Sequence, residues 1–144
     1  MRWYAGSDHA GLALKRELIA FLKEAGDEVI DLGTDSEDSV DYPDYGRSVA
    51  EKVVAESAFG LLVCGTGNGI AISANKVKGA RAALATDAFT ARMAKLHNNA
   101  NLIVFGARVV GAGVALDALA AYREAEFEGG RHQRRVDKLM AIED

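Results

Sequence analysis

Phe59-Gly60-Leu61-Leu62-Val63-Cys64-Gly65-Thr66-Gly67-Asn68-Gly69 reads as a buried strand that ends in a thiol and passes into a glycine-rich turn. The strand half is apolar on both faces, the pattern of a central parallel strand covered by helices on both sides. The turn half places glycines at three alternate positions, so its backbone N–H groups could face an anion with no side chains in the way. Ile70-Ala71-Ile72-Ser73-Ala74-Asn75 follows as the start of a helix. Cys64, the only cysteine, therefore sits between the carboxy end of a strand and the amino end of a helix. A reactive thiol and a small buried hydrophobe both suit that place.

Working outward, strands and helices alternate. Arg2 to Gly6 reads as a first strand, ending at Ser7-Asp8-His9. Leu14, Leu18, Phe21, Leu22 and Ala25 then recur at helical spacing, with Lys15, Arg16, Glu17, Lys23 and Glu24 on the other face. Gly26 closes that helix. Glu28 to Leu32 is a short strand of mixed polarity, suited to an edge, and Gly33 to Tyr42 is an Asp/Ser/Gly loop. Asp44 caps a helix running to about Ser57 with Tyr45, Val49, Val53 and Val54 as its stripe. The helix after the glycine turn is expected to reach about Val77. Arg81 to Thr86 is a fourth strand, and Asp87 caps a helix ending at His97-Asn98-Asn99. Leu102 to Phe105 is a fifth strand, followed by helices over Gly111 to Tyr122 and Arg131 to Ile142. This order predicts a single-domain α/β, Rossmann-like fold over 1–144: a five-stranded parallel sheet flanked by helices on both faces, with a C-terminal helix from about 131.

Bulk properties narrow the class. A length of 144 residues fits one domain, and 49% hydrophobic residues suffice for a two-sided core. A net charge of −4 argues against a broad basic surface for nucleic acid. One cysteine allows no internal disulfide and suits a reducing compartment. The amino terminus lacks the apolar core of a signal peptide, and the longest uncharged run, Ser57 to Asn75, is broken by Gly and Asn. A soluble cytoplasmic protein without a membrane partner is expected.

Parallel sheets of this kind bind ligands beyond the carboxy ends of their strands. The residues expected there are Asp8 and His9, Asp41 and Tyr42, Cys64 to Gly69, Asp87, and Arg108. Gly65, Gly67 and Gly69 miss the dinucleotide fingerprint by one residue, and no lysine stands where a P-loop needs one. A nucleotide or phosphate module nevertheless stays open, with Asp87 as a possible ribose contact. A thiol of pKa about 8.5 is lowered at a helix amino end, so Cys64 could serve as nucleophile or base. His97 either stabilises its helix terminus or works as an acid–base group, and His9 has the same two readings. Asp8 either caps the first helix or faces a ligand. Arg131 and Arg135 share a helical face with the geometry to grip phosphate, or simply form an exposed basic face. The three histidines lack the paired spacing of a metal site, so no metal is expected.

Taken together, Gly6-Ser7-Asp8-His9-Ala10-Gly11, Asp41-Tyr42-Pro43, Cys64-Gly65-Thr66-Gly67-Asn68-Gly69, Ala74-Asn75-Lys76, His97-Asn98-Asn99-Ala100-Asn101, Phe105-Gly106-Ala107-Arg108-Val109-Val110-Gly111 and Glu128-Gly129-Gly130-Arg131-His132-Gln133-Arg134-Arg135-Val136 resemble the ribose-5-phosphate isomerase B family. That family includes relatives acting on allose and galactose phosphates. The matching pieces run through nearly the whole chain in one order.

The resemblance implies interconversion of an aldose phosphate and its ketose without a metal or other cofactor. It implies Cys64 as the proton acceptor and His97 as the proton donor that helps open the sugar ring. Gly65, Thr66, Gly67, Asn68 and Gly69 would hold the enediolate, and Asp8 and His9 would contact the sugar. Asn98, Arg108, Arg131 and Arg135 would complete substrate binding, with the arginines on the phosphate. The family builds its sites between subunits, so the resemblance implies a homodimer or a dimer of dimers. One branch replaces the cysteine by a glutamate just after the glycine turn; here Cys64 is present and that position is Ile70, consistent with a cysteine base. Ser7 stands where a cysteine is often seen. Ribose 5-phosphate and ribulose 5-phosphate are the expected pair, with a six-carbon sugar phosphate as the neighbouring alternative.

Overall fold

A computed structural model describes all residues from Met1 to Asp144. Five strands, β1 (Arg2–Ser7), β2 (Glu28–Asp31), β3 (Phe59–Cys64), β4 (Ala82–Leu84) and β5 (Leu102–Gly106), alternate with helices α1 (Leu12–Glu24), α2 (Tyr42–Glu56), α3 (Asn68–Asn75), α4 (Ala88–Asn98) and α5 (Ala112–Glu124), and α6 (Arg131–Ala141) ends the chain. The strands form one sheet in the order β2-β1-β3-β5-β4. Every pairing is parallel. The expected α/β fold is therefore the observed one. No helix is long and apolar enough to cross a membrane.

Alternation along the strands divides the core in two. Trp3, Ala5, Leu61, Val63, Ile103 and Phe105 point to the side covered by α1, α4 and α5. Tyr4, Leu62, Cys64, Leu102 and Val104 point to the side covered by α2 and α3. The central strands β3 and β5 are buried along nearly their whole length, which is why both read as apolar runs. The edge strands β2 and β4 are only half-buried, which matches their weaker apolar pattern.

Two local expectations are corrected. Helix α2 begins at Tyr42 behind Asp41 rather than at an Asp44 cap, with Pro43 in its first turn. Proline's fixed φ suits the first helical turn, so the helix starts ahead of it. Lys15, assigned to the outer face of α1, is fully buried. Its Nζ donates to Asp31 Oδ1 at 2.7 Å and to the Thr34 carbonyl at 2.6 Å, so it ties α1 to the end of β2. A lysine can occupy such a place because both hydrogen bonds and an ion pair replace its hydration.

After β1 the chain turns to β2 on one side; after β3 it moves to β4 and β5 on the other. The loops leaving β1 and β3 thus diverge, and the crevice between them is the place where such sheets bind ligands. Asp8, His9 and the Cys64–Gly69 turn flank that crevice.

Candidate active site

The Cys64 half of the site is built by backbone close to backbone. Cys64 is buried, and the Gly67 N–H donates to its Sγ at 3.2 Å. Gly67 has φ +84°, and a Cβ there would lie 2.4 Å from Leu84 Cδ1, so both backbone and space demand glycine. Helix α3 starts at the next residue. The Asn68 N–H is taken by Thr66 Oγ1 at 3.3 Å, and the first helical bond runs from the Ala71 N–H to the Gly67 carbonyl at 3.1 Å. The N–H groups of Gly69 and Ile70 precede that bond, so the positive end of α3 lies beside the sulfur. The Tyr42 ring lies over Gly69.

The exit of β5 braces this turn. The Ala107 N–H donates to the Cys64 carbonyl and the Arg108 N–H to the Gly65 carbonyl, each at 2.9 Å. A Cβ on Gly65 would meet Arg108 Nη1 at 3.3 Å, which places the guanidinium beside the turn. On the other flank Asp8 is buried and its Oδ1 accepts the Gly11 N–H at 3.1 Å. Gly11 presses on the end of β3; a Cβ there would sit 2.5 Å from the Val63 carbonyl oxygen. His9 Nδ1 accepts the Val40 N–H at 3.2 Å. That bond assigns the ring proton to Nε2, a donor for a ligand oxygen.

The other expected residues lie elsewhere. Gly60 pairs with Leu102 and Cys64 with Gly106. His97 and Asn98 end α4, just before β5 begins. They therefore sit at the opposite end of the sheet, at least four residues of strand, about 13 Å, from Cys64. Arg131 and Arg135 open α6, whose first turn packs against the end of α4. The His132 ring stacks on the His97 ring with centroids 4.1 Å apart and planes 9° apart. Arg108, Arg131 and Arg135 form no ion pair within the chain, and all three are exposed. The thirteen expected residues thus form two groups: Asp8, His9, Cys64 to Gly69 and Arg108 at one end, His97, Asn98, Arg131 and Arg135 at the other.

Beside the second group lie two further residues, His132 and Glu128, whose place the sequence did not reveal. His132 is buried, and its Nε2 lies 3.5 Å from Glu128 Oε2, one helical turn before it. Burial, and then the positive charges of His97 and Arg131, hold the His132 pKa below its ordinary value. The ligand atoms of His97, Glu128 and His132 lie within 4.8 Å of one another. The stacked rings keep their in-plane lone pairs in parallel planes, so a shared metal ion would require the stack to break. A cleft of about 420 Å³ nearby is lined by Asn75, Arg81, Asn98, Leu139 and Met140, among others, and includes no residue of the Cys64 group. The spacing Glu128-x-x-x-His132 was the only sequence signal for this cluster.

Comparison with known proteins gives one consistent result. The family described as Ribose/Galactose Isomerase matches residues 4–139. Ribose-5-phosphate isomerase B of Escherichia coli K12 is 47% identical over 139 residues, covering 96% of this chain and 93% of that protein. The solved ribose-5-phosphate isomerase B of Clostridium thermocellum superposes with a TM-score of 0.97 at 52% identity, covering 99% of this chain and 97% of that one. The enzyme of the same name from Mycoplasma genitalium, solved with bound ribulose 5-phosphate, superposes with a TM-score of 0.95 at 42% identity, covering 99% of this chain and 95% of that one.

Proposed function

This chain belongs to the ribose/galactose isomerase family, and from that premise we propose that it interconverts ribose 5-phosphate and ribulose 5-phosphate through an enediolate, with Cys64 as the base. The chain is an isomerase of that family. The observation that carries the reading is the Cys64 sulfur at the switch point of the sheet, accepting the Gly67 N–H beside the open first turn of α3.

The steps follow from that arrangement. Phosphate anchored by arginine guanidinium groups fixes the sugar and brings C2 to the sulfur. The Cys64 thiolate takes the C2 proton, and the electron pair moves onto the carbonyl oxygen. Backbone N–H groups of Gly65 to Gly69 hold the negative oxygen that develops. The O2 hydroxyl proton passes to O1, and the Cys64 thiol, whose proton exchanges with solvent, protonates C1 as C2 becomes the carbonyl of the ketose. Asp8 and His9 hold hydroxyl groups, His9 through its Nε2–H. Before enolisation the furanose must open, which requires a proton donor at the ring oxygen; His97 has that role in this reading.

Cys64 and His97 of one chain stand at opposite ends of the sheet, so the reading requires a second copy whose His97, Asn98, Arg131 and Arg135 face the first copy's Cys64. Support comes from exposed apolar side chains on α3, β4 and α4, the elements that follow the glycine turn. Ile72 is 60% exposed, Phe89 is 65% exposed, and Leu84, the neighbour of Gly67, is also exposed. A homodimer would cover this rim.

Aldose–ketose conversion with ribose 5-phosphate and, side by side, allose 6-phosphate tests the assignment. Turnover of the five-carbon substrate that disappears in Cys64→Ala supports it. No conversion of ribose 5-phosphate, or full activity in Cys64→Ala, overturns it.

A further inference from the structure

Helix α6 buries only two of its residues, His132 and Val136. Its first turn is therefore held to the body by one imidazole. That ring lies flat on His97, at 4.1 Å and 9°. The segment before it is pinned to the same place, because the Glu128 N–H donates to the Leu96 carbonyl at 3.1 Å. Glu128 then faces His132 Nε2 at 3.5 Å. Three elements, the last turn of α4, the 125–130 segment and the first turn of α6, thus converge on one ring pair.

We propose that His132 is a positioning residue for His97: its stacked ring, oriented by Glu128, fixes the plane of the His97 imidazole for ring opening. The proposal rests on the reading of His97 as the ring-opening acid. His97 is half-buried near the end of its helix, with no hydrogen bond from its ring to any group of the chain. Its χ2 torsion is a broad, two-fold one, so a free imidazole there would sample many orientations. A flat neighbour at van der Waals distance leaves it one plane. The charged groups facing His132 are His97 on α4, Arg131 and Arg135 on its own helix, and Glu128 before it. Burial and the three positive neighbours oppose its protonation, so it offers His97 a neutral face rather than a competing cation.

Two readouts separate positioning from a structural or a phosphate-binding role. Conversion of ribose 5-phosphate, which is a closed furanose, needs ring opening. Deuterium uptake from D2O at C1 of ribulose 5-phosphate, which is open-chain, reports enolisation alone. His132→Ala is expected to lower kcat for ribose 5-phosphate about tenfold, with KM and C1 exchange each within about twofold of the unaltered protein. His132→Phe keeps a flat face without a titrating nitrogen and is expected to recover most of that loss; His132→Leu, of similar bulk but not flat, is not. If His132→Ala fails to fold, the Phe and Leu variants, checked by thermal melting, decide alone.

Equal loss of conversion and exchange, or a raised KM with kcat unchanged, overturns the proposal. Recovery by Leu as complete as by Phe also overturns it. His97→Ala is the control for the underlying reading. If it leaves conversion intact, the assignment of His97 as the acid has failed. If it abolishes conversion while His132→Ala does not lower it, only the positioning role has failed.

Discussion

Cys64→Ala and His97→Ala should each inactivate the enzyme, and a mixture of the two should regain activity. The register gives the reason. Cys64 is paired with Gly106 and Gly60 with Leu102, so the start of β5 lies about 13 Å from the sulfur, and His97 precedes it. One chain cannot bring both groups to one sugar. In a symmetric dimer each site takes Cys64 from one copy and His97 from the other. A mixed dimer then has one site with both groups and one with neither. Random re-pairing of equal amounts makes half of the dimers mixed, so about one quarter of the sites work. The assay is ribose 5-phosphate turnover before and after the two inactive proteins are dissociated and reassociated together. Mixed dimers isolated by two different affinity tags should show about half of the unaltered activity per dimer. Mixed dimers with no activity would refute the shared site, and so would a fully active single variant.

Three further predictions concern stability and the turn. Asp27 accepts hydrogen bonds from Trp3 Nε1, the N-terminal ammonium and Arg123, and its pKa is lowered to about 2, chiefly by Arg123. A carboxyl depressed from 3.8 in this way contributes about 2 kcal/mol above pH 4, lost as pH falls toward 2; Asp27→Asn should lower stability at pH 7 by about that much and flatten the acid limb of a urea-unfolding series. Lys95 lies between the Phe59 and Tyr122 rings, 4.1 and 4.2 Å from their centroids, and burial lowers its pKa to about 8. Its protonation is disfavoured in the fold, so stability should rise between about pH 8 and 10.5 relative to Lys95→Met, and a flat difference would contradict this. Gly67→Ala must strain a left-handed backbone and displace Leu84; a loss of about 1–3 kcal/mol in thermal unfolding and a larger fall in kcat than in KM are expected.

Much of this was legible because the relevant signals are local. The two-sided apolar run of β3 and the alternate glycines after it mark a central strand and a tight turn into a helix, and the structure has both. Helix ends were readable at Asp87, whose side chain accepts the Thr90 N–H at 2.7 Å. Lys15 was misplaced because helical spacing cannot show that Asp31 and the Thr34 carbonyl wait to receive its charge. The division of the candidate site follows from the parallel register: His97 lies on α4, after α3 and β4, just before β5 begins, and so ends up at the opposite end of the sheet from Cys64. The His97–His132 stack joins α4 to α6 across 35 residues of chain, and only a folded structure could display it.

The central claim is that Cys64 takes the substrate proton. Ribulose 5-phosphate incubated in D2O with the unaltered protein should acquire deuterium at C1, followed by NMR. A folded Cys64→Ala protein, with its melting temperature preserved, should show no uptake above the uncatalysed rate. Uptake by Cys64→Ala at the unaltered rate would contradict the account.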